Sequence, residues 1–132
     1  MATQTTVTTA AGARRGAPFP PFRSVLRIAI AVQTLTILLQ AVSAGLLVTS
    51  SYGATLHDAG ARVMYGASLL YLLAAVLAWK PGGGPARPIW HASGFLALGT
   101  VQVVLGVAQV SSLHYPLGVV MFGLSLLALV RR

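Results

Sequence analysis

Four stretches of this chain are apolar for long enough to cross a lipid bilayer, and no other feature constrains the fold as strongly. They cover residues 28–48, 57–79, 89–110 and 113–130. Segments of about 18–23 residues, rising 1.5 Å per residue, match a hydrocarbon core of about 30 Å. Within that core every backbone N–H and C=O must be satisfied by the chain itself, so each span is expected to be a helix. Composition points the same way. The chain is 56% hydrophobic and only 8% charged, against about 25% charged in an ordinary soluble domain. So few polar side chains cannot cover a water-facing globule, and the lipid bilayer is the implied partner of the outer surface. There is no cysteine, which excludes a disulfide framework and thiolate chemistry.

The link KPGGGPARP at residues 80–88 separates the second span from the third. Its prolines and glycines stop a helix, and its charges hold it in water. The predicted fold is therefore all-α, an up-down bundle of four transmembrane helices made from two tandem helical hairpins. Residues 25–132 form this domain. Residues 1–24, rich in Thr and Ala with late prolines, read as a disordered cytoplasmic tail. The first apolar stretch is too long for the core of a signal peptide and is read as an uncleaved span.

The cations set the expected orientation. Arg14, Arg15, Arg23 and Arg27 precede the first span, Lys80 and Arg87 lie in the 80–88 link, and Arg131 and Arg132 end the sequence. With four spans these regions share one side of the membrane, and the positive-inside rule makes that side cytoplasmic. The reading is a multi-pass plasma-membrane protein, bacterial by its Ala-, Gly- and Arg-rich usage, with both termini in the cytoplasm. The net charge of +8 is thus a topology signal. It does not point to nucleic acid, because the cations flank spans and form no patch interleaved with aromatic residues.

A repeat lies inside this frame. TLHDAGARVMYGASLL and SLHYPLGVVMFGLSLL stand 57 residues apart, and eight of the fifteen positions paired between residues 56–70 and 113–127 are identical, among them His57/His114, Met64/Met121, Gly66/Gly123 and Ser68/Ser125. Duplication of a two-helix hairpin is the simplest account. Tandem hairpins have the same orientation in the membrane and are related by an axis along its normal. His57 and His114 then sit at the same depth near the starts of the second and fourth helices, which are diagonal partners in an up-down bundle. Helix neighbours pack at about 8–10 Å, so the diagonal is roughly 11–14 Å. That distance suits two inward imidazoles with a metal or flat macrocycle between them. His57, Met64 and Ser68 share a helical face, as do His114, Met121 and Ser125. Gly60 and Gly118, near the histidines, leave room for a planar ligand or a close helix. Gly66, Gly99, Gly106 and Gly123 are expected at helix contacts, where small side chains let membrane helices approach.

LHDAGARVMYG, TVQVVLGVAQV and LHYPLGVVMFG together resemble the haem A synthase family, over residues 26–130. Proteins of that family contain two four-helix halves, each with a histidine pair forming a haem site, and this chain looks like one half. The resemblance implies His57 and His114 as axial ligands of a haem; with haem b there, Met64 and Met121, on the same helical faces as the histidines, would line its inner side, and Arg62 would be within reach of a propionate. It does not carry over the family's chemistry. Ala54 stands where the family commonly has a glutamate, so no independent catalytic activity is expected.

Other readings stand beside these. The histidines can instead be water-facing polar anchors that bond a serine or a carbonyl. A lone divalent ion is poorly served by two imidazoles without acidic or thiolate partners. Asp58, the only acidic residue, precedes Arg62 by one turn, the favourable order for a local ion pair. His91 beside Trp90 reads as an interfacial residue at the opposite membrane face. Gln33 and Gln40 on the first helix, and Gln102 and Gln109 on the third, are each seven apart and are expected to form inward polar stripes. Two functional classes follow. One is a haem-binding or redox membrane protein. The other is a non-enzymatic accessory subunit that acts through a membrane-protein partner or as a homo-oligomer.

Overall fold

The computed structural model describes residues 20–131, and these form four helices: α1 Pro20–Thr49, α2 Gly53–Trp79, α3 Arg87–Val107 and α4 Ser111–Val130. Residues 1–19, most of the segment read as a tail, lie outside the described residues. All four helices are long and apolar enough to cross a membrane. The first begins well before its apolar stretch, because a helix does not stop at the edge of the hydrocarbon. Proline is tolerated in its first turn, and Arg23 and Arg27 can reach back to water along their aliphatic stems.

Short links make neighbouring helices antiparallel. α1 packs on α2 and α4, and α3 packs on the same two helices. Among the described residues, α1 and α3 do not approach closely, nor do α2 and α4, so the latter are diagonal as predicted. The inner seam of α2 is Met64, Ala67, Ser68, Tyr71, Ala74, Ala75 and Ala78, all buried. Spacings of three and four keep this seam on one face, and its small residues let α1 come close. Outward residues are as apolar as the core: Val48 is 87% exposed, Val130 75% and Val63 61%. Burying so little of so apolar a surface only makes sense if lipid covers the rest, which identifies a small multi-pass membrane protein.

Polar groups inside the bundle are few. Thr34 Oγ1 and Ser125 Oγ lie 2.7 Å apart and tie α1 to α4. Ser68 instead donates to the carbonyl of Met64 in its own helix, at 3.1 Å. Gln33 is fully buried, with both amide atoms unpartnered.

Two expectations are corrected. The third helix ends at Val107, not 110. Gln109 takes a positive φ of 58°, its N–H bonds Gly106 O at 3.1 Å, and the N–H of Val110 bonds Leu105 O at 2.9 Å. This is a Schellman cap, which satisfies the last carbonyls of the helix. Gln109 sits in this cap, exposed and donating from Nε2 to Gly106 O at 2.9 Å, and with Gln102 it borders the space between the helices. The central glycines also divide. A Cβ on Gly99 would meet Met64 at 3.9 Å, and one on Gly106 would meet the His114 ring at 3.3 Å, but Gly66 and Gly123 face open space. The repeated glycine is therefore not a helix contact.

Candidate functional site

His57 is the fifth residue of α2 and His114 the fourth of α4, so both rings leave their helices within the first turns. The bundle brings them together from the diagonal, with ring centroids 6.1 Å apart and planes inclined at 66°. Both are half-buried. They border a cavity of about 650 Å³ between the four helices, whose lining includes Gln40, Met64, Gln102 and Met121. Most other lining residues are aliphatic or aromatic, among them Ile37, Leu38, Val119 and Phe122.

Each imidazole is held from the helix that precedes its own. His57 Nδ1 lies 3.0 Å from Ser43 Oγ, and Ser43 Oγ also lies 3.0 Å from both Gln40 O and Gln40 Oε1. Both glutamine atoms are acceptors, so the single serine proton goes to one of them. The serine oxygen is then left to accept from Nδ1–H of His57. His114 Nδ1 lies 3.0 Å from the backbone oxygen of Gln102. A carbonyl can only accept, so Nδ1 again carries the proton. In the neutral ring this leaves Nε2 as a lone-pair donor on both histidines. The same second-partner arrangement fixes the tautomer of metal-bound imidazoles.

The sequence reading did not find Ser43 or the Gln102 carbonyl. The signal was there, because in an antiparallel hairpin residues equidistant from the link face each other. Ser43 and His57 lie seven residues either side of position 50, and Gln102 and His114 six either side of position 108. The same rule places Gln40 opposite Gly60, where a Cβ would stand 2.8 Å from Gln40 Oε1. A Cβ on Gly118 would stand 2.9 Å from Gln102 Nε2. These two glycines thus make room for amides of the neighbouring helix. Gln102 Oε1 is left buried and unpartnered beside the cavity.

The remaining candidates separate. Met64 and Met121 are 5% and 1% exposed and both reach the cavity wall. Arg62 does not line the cavity. It is exposed and bonds Asp58 at 2.7 Å, and Asp58 itself reaches the rim. His91 is exposed in the first turns of α3 beside Trp90, which is 77% exposed. No group of three or more His, Cys, Asp or Glu side chains converges among the described residues, so the site offers imidazole and thioether chemistry and no carboxylate cage. Comparison with family models, curated proteins and solved structures finds no match.

Proposed function

We propose that this protein binds haem b between His57 and His114. The observation that carries the reading is the approach of two imidazoles from diagonal helices, each with Nδ1 engaged by an acceptor and Nε2 left to donate its lone pair. The spacing suits the group. With nitrogen–metal bonds of about 2.0–2.1 Å and roughly 1 Å from nitrogen to ring centre, two imidazoles on one iron stand about 6 Å apart. A cavity of about 650 Å³ falls within the usual range of about 300–1,000 Å³ for cofactor pockets. Its apolar walls suit a macrocycle, and Met64 and Met121 supply soft, polarizable contacts. A haem held by two imidazoles supplies one-electron transfer. The chain's part is to fix both rings, exclude water from the inner side and hold the charge state of the ligands.

The test is spectroscopic. Protein purified from membranes supplied with haem is expected to carry one low-spin haem per chain. His57→Ala and His114→Ala should each abolish the low-spin spectrum, and His91→Ala should leave it intact. Wild-type protein without stoichiometric haem would overturn the reading, and the repeated histidines would then be structural anchors.

The orientation belongs to the same proposal. Eight of the nine Lys and Arg residues fall on the side of the termini and the 80–88 link, so that side faces the cytoplasm and the histidines lie near the outer surface of the plasma membrane. Single cysteines at Ser51 and Gly83, probed with an impermeant thiol reagent on intact cells, report it. Labelling is expected at Ser51 alone, and labelling at Gly83 alone reverses the orientation.

A further inference from the structure

The end of the bundle far from the histidines holds a second cavity, of about 220 Å³, which no proposed role uses. Arg23 and Arg27, one turn apart on α1, meet Arg131 at the end of α4 around it. Leu26 and Ala78, 3% and 1% exposed, give it an apolar floor, and Pro85 and Pro88 from the α2–α3 link and the start of α3 close one side. Three arginines bordering one small space bring like charges together, which an anion among them would offset. The chain has a single acidic side chain, Asp58, and that residue is on the histidine end, bonded to Arg62. None of the three arginines meets a carboxylate side chain among the described residues.

The start of α3 reaches the cavity through Pro88, which has no N–H, and the Ile89 N–H is taken by Ala86 O at 3.0 Å, so the donors here are the arginines. Arg side chains present planar, forked donors suited to phosphate oxygens. The cavity lies where transmembrane helices end, at the level of lipid headgroups, and it is apolar toward the bundle interior. A zwitterionic headgroup brings its own cation and leaves the arginines uncompensated. An anionic headgroup does not.

We infer that Arg23, Arg27 and Arg131 form a binding site for the phosphate group of an anionic membrane phospholipid. Basic pockets between transmembrane helices are a recognised route to such recognition. The site is separate from the histidine cavity, so it stands or falls independently of haem.

The experiment uses the full chain in an uncharged detergent, with phosphatidylglycerol, phosphatidylcholine and inorganic phosphate as probes. Retained lipid is counted by native mass spectrometry and protection is read as a rise in melting temperature. Phosphatidylglycerol should be retained at one per chain and protect, and phosphatidylcholine should do neither. Arg131→Gln alone, at the exposed end of α4, should weaken retention by about fivefold, and combination with Arg23→Gln and Arg27→Gln by about a hundredfold. Lys80→Gln with Arg87→Gln removes two charges from the same end outside the cavity, and should leave retention within about twofold of the parent. The site is refuted if the triple variant keeps its preference for phosphatidylglycerol, or if the Lys80/Arg87 variant loses as much as the triple. Equal protection by inorganic phosphate would assign the cavity to a free anion and overturn the lipid reading. Arg131→Gln keeps the test sharp if the triple variant fails to fold.

Discussion

The two copies of the Leu-His motif share residues but not circumstances. In α2 the histidine is followed by Asp58 and an ion pair with Arg62, and it leans on the Ser43 hydroxyl. In α4 it is followed by Tyr115, which meets its ring edge-on at 5.8 Å, and by Pro116 inside the helix. There it leans on a backbone oxygen. Below the histidines the methionines are equally buried, yet Ser68 bonds within its own helix and Ser125 bonds across to α1. The most apolar window of α2 is 39% buried and that of α4 only 11%. One motif has therefore been placed in a tightly held helix and again in a loosely held one. What the copies keep in common is an imidazole bordering the same cavity, with its Nδ1 engaged by the preceding helix. The scaffold around each copy differs, and the shared part is the part a ligand would use.

The comparison is easiest to break at the atoms that orient the rings. Ser43→Ala removes the acceptor of His57, and second partners of metal-bound histidines are worth about 10–100-fold in affinity. Haem retention by this variant should fall by that factor. Gln102→Ala leaves the backbone oxygen in place and should change retention much less. Equal losses in a haem titration of the two variants would show that the Gln102 amide, not its carbonyl, supports the second site.

A smaller effect separates the glycines. Gly106→Leu drives a side chain into the His114 ring and should cost about 1–3 kcal/mol by overpacking. It should also disturb the haem spectrum. Gly123→Ala enters open space, and replacing a helical glycine should leave stability unchanged or raise it by up to about 1 kcal/mol. Thermal melting in detergent decides, and destabilisation by Gly123→Ala would restore the repeated glycine as a helix contact.

The smallest difference is between the serines. Ser125→Ala removes the bond between α1 and α4, and interhelical bonds of this kind contribute about 0.6–2 kcal/mol. Ser68→Ala removes only a bond to the preceding turn and should cost less. If the two variants melt alike, the Thr34–Ser125 bond does not hold the weakly packed α4 in place.

The sequence by itself determined the number of helices, most of their extents, their alternating direction and the common depth of His57 and His114. These follow from local quantities: the length of an apolar run, the position of prolines and glycines, and the count of residues from a link. The tertiary structure decided that the rings approach to 6.1 Å, that a hydroxyl holds one and a carbonyl the other, that Gly60 and Gly118 receive amides, and that Gly66 and Gly123 face outward. It also gathered three arginines from two helices far apart in the chain around one cavity. All of these depend on how each helix is rotated about its own axis. In a soluble bundle the contrast between apolar and polar faces announces that rotation. Here lipid is as apolar as the core, Val63 outside and Met64 inside are both hydrophobic, and only packing between helices selects which face turns inward.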